Sequence, residues 1–486
     1  MYPGTGVSAR CEGFLKTLSC ECCILGAGPA GFGAGIELTR HGITDIIMID
    51  RNQVVGGLSR TEAFGEARFD VGPHRFFTRN PEINKLWVET LGDDFRPVKR
   101  LTRIYYNNNF FNYPIKPLET FRKLGPVDSL HVLTSFAFQK VKRKTEARTF
   151  EEWVVQKFGR KLYQTFFKTY TEKVWGIPCS EIGSEWAAQR IRGLDIFQLL
   201  KKSIRFSGND VKSLVDEFHY PVLGAGQMYE VMAETLTAQG VRISLGTRVV
   251  SINRRNATVD SVDVEGPAGD LMRISAGHFF NSIPVTHFFK MFNPPEEERV
   301  LSAAEALYYR EHITVNVLVE GRDIFPDQWI YIHSPEVRMA RLANYNNFSE
   351  DMVLNKNKTA LSIEYFVFQD DELWKKGDQE VAKLALQELQ QLRLLDTGRV
   401  EQTWVVRETE SYPTYYLGFQ QPYEVLKTRS GELSNVSAIG RGGMYKYNNQ
   451  DHSTYSGLLA ARNYLHLPGT PYNLWAINSE AEYHER

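Results

Sequence analysis

The order of apolar and polar residues near the start of the chain predicts a strand, a helix and a second strand. An apolar run over Cys22–Leu25 leads into Gly26-x-Gly28-x-x-Gly31, and an Ala/Gly-rich segment follows. A second apolar run occupies Ile46–Ile49. A short apolar run, a glycine turn and a helical pattern in this order are typical of a βαβ unit with parallel strands.

The spacing of apolar residues changes twice in the middle of the chain. Two alternating runs on either side of Asn107-Asn108-Asn109 predict a hairpin with an asparagine tip. Thr149-Phe-Glu-Glu152 is a capping box, and apolar residues at every fourth position from Phe150 to Tyr170 predict one helical face made of core residues. Short β-rich runs from Ile313 to about Val406, interrupted by an amphipathic helix that begins near Asp378, predict an antiparallel sheet.

A buried strand over Val436–Gly440 and a helix from Asp451 to Leu465 end the pattern. We therefore predict an α/β fold in which a discontinuous Rossmann-like domain carries a helical insertion and an antiparallel β-sheet insertion. The predicted boundaries are 18–80, 210–285 and 425–470 for the nucleotide-binding domain, 115–205 for the helical substrate domain, and 95–114 with 286–424 for the sheet domain.

Composition excludes several classes of protein. The 486 residues carry 57 Lys and Arg against 58 Asp and Glu, so no general basic field attracts nucleic acid, and Lys142-Arg143-Lys144 is interpreted as a solvated helix face. The five cysteines, at positions 11, 20, 22, 23 and 179, form neither a disulfide framework nor a zinc spacing, and no metal is predicted. With no signal-peptide pattern and no apolar run near 18 residues, we expect a soluble cytoplasmic protein without an integral membrane segment.

The glycine turn specifies a dinucleotide. Gly26 permits a tight turn, Gly28 lets the backbone approach a pyrophosphate, Gly31 lets the helix pack on the strand, and Asp50 can hold a ribose hydroxyl. The helix N-terminus supplies N–H donors for the phosphates. The acid followed by Gly-Gly-Leu resembles the flavin-binding signature of the amine oxidase and glutathione reductase flavoproteins. We therefore predict FAD, held without a covalent bond because the cysteines near it lie before or in the first strand.

A series of motifs runs in one order from about residue 20 to 465. The motifs are Phe69-Asp-Val-Gly-Pro-His74, Lys168-Thr-Tyr-Thr-Glu-Lys-Val-Trp-Gly176, Arg190, Arg338 with Asn344-Tyr345 behind it, Ser411-Tyr412-Pro413, and Gly440-Arg441-Gly-Gly-Met-Tyr-Lys-Tyr447-Asn-Asn-Gln-Asp-His452-Ser453. In this order they resemble the UDP-galactopyranose mutase family and its relatives.

The resemblance implies a flavin-dependent mutase that interconverts the pyranose and furanose forms of a nucleotide-linked sugar such as UDP-galactose. N5 of reduced FAD would attack the anomeric carbon, with no net redox change, and NAD(P)H or a reductase would supply the electrons. The implied catalytic residues are His74, Arg338 and Arg441. The implied substrate-binding residues are Tyr170, Trp175, Arg190, Tyr331, Arg338, Tyr412, Arg441 and Tyr447. The implied cofactor-binding residues are Gly26, Gly28, Ala30, Gly31, Asp50, Arg51, Gly57, Leu58, Gly440, Arg441, Asn449, Asp451, His452 and Ser453.

Physical chemistry supports these assignments but leaves alternatives. Guanidinium groups match the oxygens of a pyrophosphate, yet any one of the three arginines could instead form a surface ion pair. Trp175 could stack on a nucleotide base or could be helix core. Pro73 replaces a glycine of the family motif and fixes φ near about −65°, which restricts movement of the loop before His74.

Two other functions remain open. An oxidase of the amine oxidase or protoporphyrinogen oxidase type would share the cofactor fold but would need an apolar substrate tunnel rather than converging arginines. A binding protein similar to the carriers of prenylated GTPases would share the architecture without flavin chemistry. The complete set of Gly26, Gly28, Gly31 and Asp50 disfavours this second alternative.

Overall fold

A computed structural model describes residues 16–141, 146–184 and 217–478. Its strands are β1 (Lys16–Leu25), β2 (Ile46–Ile49), β3 (Thr61–Phe64), β4 (Ala67–Asp70), β5 (Phe95–Lys99), β6 (Thr102–Tyr106), β7 (Asn109–Asn112), β8 (Glu217–Pro221), β9 (Arg242–Ser244), β10 (Arg248–Arg255), β11 (Thr258–Glu265), β12 (Leu271–Asn281), β13 (Phe292–Asn293), β14 (Tyr309–Glu320), β15 (Trp329–Ile332), β16 (Arg341–Asn344), β17 (Lys358–Val367), β18 (Val400–Pro413) and β19 (Val436–Ala438).

The helices connect and cover these strands. They are α1 (Pro29–Arg40), α2 (Pro81–Leu91), α3 (Pro117–Val141), α4 (Phe150–Phe158), α5 (Arg160–Leu162), α6 (Thr169–Trp175), α7 (Gln227–Ala238), α8 (Val285–Lys290), α9 (Glu298–Ala306), α10 (Glu372–Lys375), α11 (Asp378–Gln391), α12 (Gln420–Glu432), α13 (Gly440–Gly443) and α14 (Gln450–Tyr464).

An eight-stranded sheet carries the nucleotide-binding pattern. Its order is β13-β10-β11-β12-β1-β2-β9, with β19 also paired to β12. β1 pairs in parallel with both β2 and β12, as the βαβ prediction requires. Cys22 and Cys23 are fully buried, because a strand covered on both faces needs small or apolar residues at successive positions. The predicted strand–helix–strand unit is confirmed, and both cysteines belong to its core.

A seven-stranded sheet in the order β18-β14-β17-β16-β15-β6-β7 forms the second layer. The predicted hairpin is present as β6 and β7, and Asn107 and Asn108 at its tip adopt positive φ. The sheet is mixed rather than purely antiparallel, because β15 runs parallel to β6. β5 pairs instead with β8, so this part of the predicted segment 95–114 lies outside the sheet.

The helical segment departs from the single long helix that its apolar period predicts. The capping box between Thr149 and Glu152 is present at the start of α4. Gly159 then ends α4 with φ +83, and a π-helical turn over Tyr163–Lys168 separates α5 from α6. A Cβ on Gly159 would lie 2.9 Å from the backbone nitrogen of Phe136, so contact with α3 requires glycine at this break. The apolar face was predicted correctly, whereas the prediction of one continuous helix was wrong.

Candidate active site

The turn between β1 and α1 has the geometry of a phosphate-binding turn. Gly26 adopts φ +116, and a Cβ on Gly31 would lie 2.0 Å from the Gly26 carbonyl oxygen. No side chain caps the start of α1, and its first turn holds no acidic residue. The free N–H groups at this end therefore favour an anion.

Asp50 lies at the end of β2 beside this turn. Its Oδ2 accepts a hydrogen bond from the backbone N–H of Ala27 (2.8 Å), and its Oδ1 accepts one from Asn52 (2.8 Å). Burial raises the pKa of Asp50, although the two backbone donors oppose that shift. Each carboxylate oxygen has more than one lone pair, so Asp50 retains acceptor capacity for a ribose hydroxyl.

Two further segments meet the turn. Gly56 donates a backbone hydrogen bond to Ala27 (2.8 Å), and the Cα of Gly57 lies 3.7 Å from the position of a Cβ on Gly28. From the other side, a Cβ on Gly440 would lie 2.8 Å from Cβ of Ala30. The structure thus brings together residues that are far apart in the chain, with Leu58 next to this contact in the short helix over Gly57–Ser59.

Helix α14 begins close to the same place because it packs tightly on α1. A Cβ on Gly457 would lie 2.0 Å from the Ala30 carbonyl oxygen. In the first turn of α14, Nδ1 of His452 accepts a long hydrogen bond from the Asn449 N–H (3.4 Å), and both Asp451 and Ser453 are buried. Oδ1 of Asp451 has no hydrogen-bond partner among the described residues.

Arg51, which was predicted to bind the cofactor, instead contacts β18 of the seven-stranded sheet. Its guanidinium forms an ion pair with Glu410 (3.1 Å) and donates to Oγ1 of Thr409 (3.0 Å). Half of the Arg51 side chain is exposed. In this arrangement the side chain of Arg51 forms an ion pair at the surface.

Arg441 lies against a pair of tyrosine rings, Tyr412 and Tyr447, whose centres are 5.4 Å apart. Its guanidinium carbon is 5.2 Å from the ring centre of Tyr412 and 5.0 Å from that of Tyr447. Three hydrogen bonds to backbone carbonyl oxygens fix its orientation, two to Asn448 (2.9 and 2.7 Å) and one to Ser411 (2.9 Å). A guanidinium has five N–H donors, so two remain for a ligand.

A row of polar side chains crosses the seven-stranded sheet next to Arg441. Tyr331 on β15 is the cross-strand partner of Arg341 on β16, and Arg341 is the partner of Glu364 on β17. Arg341 pairs with the fully buried carboxylate of Glu364 and lies 3.2 Å from the hydroxyl of Tyr412. Burial raises the pKa of Glu364, although Arg341 opposes that shift.

The structure brings Arg341 to this cluster, not Arg338. Arg338 is exposed in the loop between β15 and β16, and its backbone N–H donates to Oε1 of Glu388 on α11 (2.6 Å). Glu388 also accepts a hydrogen bond from Tyr365, which follows Glu364 on β17 and therefore points to the opposite face of the sheet. We therefore correct the prediction for Arg338 and consider Arg341 in its place.

Two histidines, half-buried His74 and buried His312, lie close to this polar row. Burial, together with Arg441, lowers the pKa of His74 to about 3, and burial with Arg341 lowers that of His312 to about 3, so both imidazoles are neutral near pH 7. Nδ1 of His74 and Nε2 of His312 have no hydrogen-bond partner among the described residues. A Cβ on Gly72 would lie 2.9 Å from Oε1 of Glu364 and 3.9 Å from Nε2 of His312.

The two aromatic candidates have different environments. Tyr170 stacks on His333 with ring centres 4.9 Å apart and meets Tyr331 edge to face at 5.2 Å. Trp175 is only 2% exposed, and its ring centre lies 6.2 Å from that of Tyr415 and 6.1 Å from that of Tyr447. Trp175 therefore supports the tyrosines from the core, while Tyr170 lies in the polar row. Arg190 lies outside the described residues.

Arg341, Glu364 and His312 are the residues that sequence reasoning missed. A signal was present, since the alternation along β14 and β17 puts His312 and Glu364 on the face opposite the apolar residues. Arg341 could have been found only from the pairing of β15 with β16, which places it opposite Tyr331.

The residues present fit a flavin. The glycine turn, the uncapped start of α1 and the buried Asp50 suit a dinucleotide, and unpartnered buried atoms of His74, His312 and Asp451 flank the adjoining region. Among the described residues, no group of three or more His, Cys, Asp or Glu side chains could hold a metal ion. Within the same part of the chain, every helix is too short or too polar to cross a membrane.

Comparison with known proteins agrees with this geometry. The model of the family described as flavin containing amine oxidoreductase matches residues 29–463, and the chain belongs to this family. Its cofactor is therefore a flavin. A segment of 166 residues is 32% identical to a probable UDP-galactopyranose mutase of Klebsiella pneumoniae and a segment of equal length is 27% identical to dTDP-fucopyranose mutase of Escherichia coli. Each match covers 33% of this chain and 42% of the relative.

Solved structures share the fold over almost the whole chain. Reduced UDP-galactopyranose mutase superposes with a TM-score of 0.81 at 20% identity, covering 96% of this chain and 97% of that one. A putative protoporphyrinogen oxidase from Exiguobacterium sp. 255-15 superposes with a TM-score of 0.68 at 15% identity, covering 92% and 98%. The α/β fold predicted from the sequence is confirmed.

Proposed function

We propose that this protein is an FAD-dependent mutase that interconverts the pyranose and furanose forms of a nucleotide-linked sugar. The observation that carries the proposal is the pair of arginines, Arg341 and Arg441, that Tyr412 links beside the flavin-binding turn. The names of the partial relatives point to UDP-galactose or dTDP-fucose as the class of substrate.

The two arginines suit a pyrophosphate. Each guanidinium can donate two parallel hydrogen bonds to phosphate oxygens. The side chain of Arg341 is 16% exposed and shares its charge with Glu364, whereas Arg441 donates hydrogen bonds to neutral carbonyl oxygens and lies against neutral rings. The cluster therefore keeps a positive charge on Arg441 that would attract a pyrophosphate, and the hydroxyls of Tyr412 and Tyr447 would add donors.

Tyr170 and Tyr331 would contact the nucleotide or the sugar at the other end of the row. Their edge-to-face contact and the stacking of Tyr170 on His333 hold both rings in fixed orientations. A fixed flat ring can stack on a base without loss of rotamer freedom.

The proposed cofactor is non-covalent FAD in its reduced form, which supplies a nucleophilic N5 for the anomeric carbon of the sugar. Asp50 would bind the ribose, and the start of α1 would bind the pyrophosphate of the cofactor. Neutral His74 would donate or accept a hydrogen bond at the sugar end without adding charge. Arg341 and Arg441 would stabilise the charge that develops on the departing nucleotide. NAD(P)H or a reductase would reduce the flavin.

An oxidase is the second candidate, because the family to which the chain belongs is described as flavin containing amine oxidoreductase. An oxidase for an apolar substrate would leave Arg341 and Glu364 facing that substrate, which costs desolvation of charged groups. The ion pair between Arg341 and Glu364 therefore favours the mutase over the oxidase.

A screen of nucleotide sugars separates the two functions. The dithionite-reduced protein is incubated with UDP-galactopyranose, UDP-galactofuranose and the dTDP-fucose pair, and the ring size of each product is measured by NMR. The mutase predicts a change of ring size in at least one pair and no peroxide. Peroxide release with an amine or a porphyrinogen, without any change of ring size, would favour the oxidase.

A further inference from the structure

The loop between β15 and β16 joins two strands that each carry a residue of the candidate site. Tyr331 lies one residue before the end of β15, and its cross-strand partner Arg341 begins β16. Both ends of the loop are fully buried, at Ser334 after β15 and at Met339 before β16. The path of this loop therefore affects how Tyr331 and Arg341 are placed.

A lysine from the helical insertion holds this loop. Nζ of Lys173 on α6 donates hydrogen bonds to the backbone carbonyl oxygens of Ile332 (3.2 Å), Ser334 (2.7 Å) and Met339 (2.9 Å). An ammonium group has three N–H donors, so the loop uses all of them. Because the three carbonyl oxygens come from both ends of the loop, one cation holds these ends together.

A carboxylate from α11 holds the same loop. Glu388 is buried and accepts hydrogen bonds from the backbone N–H groups of Arg338 (2.6 Å) and Met339 (2.9 Å). Both backbone groups of Met339 are thus bonded to charged side chains, its carbonyl oxygen to Lys173 and its N–H to Glu388. Hydrogen bonds to ionised groups are stronger than neutral ones, so the chain is fixed two positions before Arg341.

Helix α6 also contacts the loop through Tyr170. This ring stacks on His333 with ring centres 4.9 Å apart, and the backbone N–H of His333 donates to the carbonyl oxygen of Tyr105 on β6 (2.9 Å). Tyr170 and Lys173 are three residues apart, which places them on one face of the helix. The helical insertion is therefore linked to this loop at two points.

We propose that Lys173 is a positioning residue for nucleotide binding, which places Tyr331 and Arg341 by holding the loop between them. The inference rests on the proposed function, since it concerns affinity for the nucleotide part of the substrate. Lys173 acts through the loop, because its three donors are already bonded there. A small displacement of Arg341 would weaken its hydrogen bonds to phosphate, since these bonds depend steeply on distance and angle.

The hold on the loop should depend on pH. Burial lowers the pKa of Lys173 to about 8, although Glu388 and Glu336 oppose that shift. The two rings beside it stay neutral, because burial lowers the pKa of His333 to about 3 and raises that of Tyr170 well above its ordinary value. As the pH rises through about 8, Lys173 loses its charge and one donor, so affinity for the nucleotide should fall.

Isothermal titration of the flavin-loaded protein with UDP and dTDP from pH 7 to about pH 9.5 tests the proposal. For the nucleotide that the wild type binds, Lys173→Met should raise Kd by roughly tenfold at pH 7, because a misplaced guanidinium loses its paired hydrogen bonds. The wild-type protein should lose affinity above about pH 8, so the ratio of the variant's Kd to the wild-type Kd should fall as the pH rises.

Lys123→Met is the matched control. Nζ of Lys123 on α3 also links the helical insertion to the sheet, through the carbonyl oxygen of Phe110 on β7, but away from the candidate site. This variant should change Kd by less than about twofold throughout the pH range. Thermal unfolding identifies a temperature at which every variant is folded.

Glu388→Gln is a second variant that keeps Lys173. It removes a negative charge that raises the pKa of Lys173, so the loss of affinity should begin at a lower pH than in the wild type. Equal Kd values for wild type and Lys173→Met across the pH range, or the same onset in wild type and Glu388→Gln, would overturn the inference alone. Failure of the wild type to bind either nucleotide would overturn the proposed function and the inference together.

Discussion

The two faces of the seven-stranded sheet differ although the same strands build both. On one face Ile313, Val315, Ile363 and Tyr365 pack against α11 in an apolar core. On the other face the alternate positions carry polar residues, namely His312, Tyr331, Arg341 and Glu364. Because side chains on a strand alternate between faces, one strand can hold the core with one residue and the candidate site with the next.

The apolar face should affect stability alone. Ile363 is fully buried, so Ile363→Ala should lower the free energy of unfolding by about 2–5 kcal/mol, through loss of burial and the cavity left behind. Denaturant unfolding measures this change. KM for the nucleotide sugar should stay within about twofold of wild type at a temperature where the variant is folded. A large rise in KM with little loss of stability would mean that the faces are not separate.

The polar face should affect function, and Arg341 compared with Arg338 is the sharpest test. A hydrogen bond to a charged group contributes roughly 1.5–3 kcal/mol, so Arg341→Ala should lower kcat/KM by about ten- to a hundredfold. Arg341→Lys should rescue poorly, because the ammonium keeps the charge that Glu364 requires but loses the planar fork.

Arg338→Ala is the matched control, three residues away on the exposed loop, and should change kcat/KM by less than about twofold. Steady-state kinetics with the reduced enzyme measures both variants. Arg341 and Arg441 share the same proposed ligand, so their double mutant should deviate from additivity. A large effect at Arg338 with none at Arg341 would reverse the assignment made from the structure.

His74 tests the polar face where it adjoins the flavin site. His74→Ala should lower kcat more than it weakens binding of the nucleotide, because the arginines remain in place. The pKa of His74 is lowered to about 3, so no step in the pH profile of kcat between about pH 5 and 8 should depend on this residue. Isothermal titration with UDP and kinetics across pH separate the two effects. Loss of UDP binding with unchanged turnover of bound substrate would contradict the placement of His74 at the sugar end of the site.

Asp70 links the polar side of the sheet to the nucleotide-binding region and should affect stability in a pH-dependent way. Its carboxylate accepts hydrogen bonds from Thr61, Tyr220 and Ala225, and burial raises its pKa to about 7. A raised pKa contributes stability that is fully present below the ordinary value of 3.8 and is lost as the pH rises through about 7.

Wild type should therefore lose stability relative to Asp70→Asn between about pH 4 and 7, with a slope of at most about 1.4 kcal/mol per pH unit. Urea unfolding at a series of pH values measures the difference. Parallel curves for the two proteins would show that Asp70 does not titrate in this range.

Local sequence patterns predicted the parts of the fold that depend on local chemistry. The Gly26 turn, the capping box at Thr149 and the asparagine tip of the β6–β7 hairpin each depend on residues close together in the chain. The break at Gly159 could not be predicted in this way, because it depends on contact with Phe136 in another helix.

The candidate site, too, could be predicted from the sequence only where it depends on local motifs. Tyr412, Arg441 and Tyr447 were found by their motifs, and the structure stacks them together. The choice between Arg338 and Arg341 depends on which residue pairs with Tyr331 across a strand boundary, and a sequence without pairing information does not give that register. The role predicted for Arg338, in a loop, is therefore assigned to Arg341, which lies three positions further along the chain in a strand.

The most direct test of the mutase proposal compares reduced and oxidised protein at equal concentration with UDP-galactofuranose, or with the sugar that the screen identifies. The reduced flavin is needed as a nucleophile while the oxidation level of the sugar does not change. We therefore expect turnover only after reduction, with many product molecules formed per electron pair supplied. Equal turnover by the oxidised protein, or consumption of one NAD(P)H per product, would contradict the mutase mechanism.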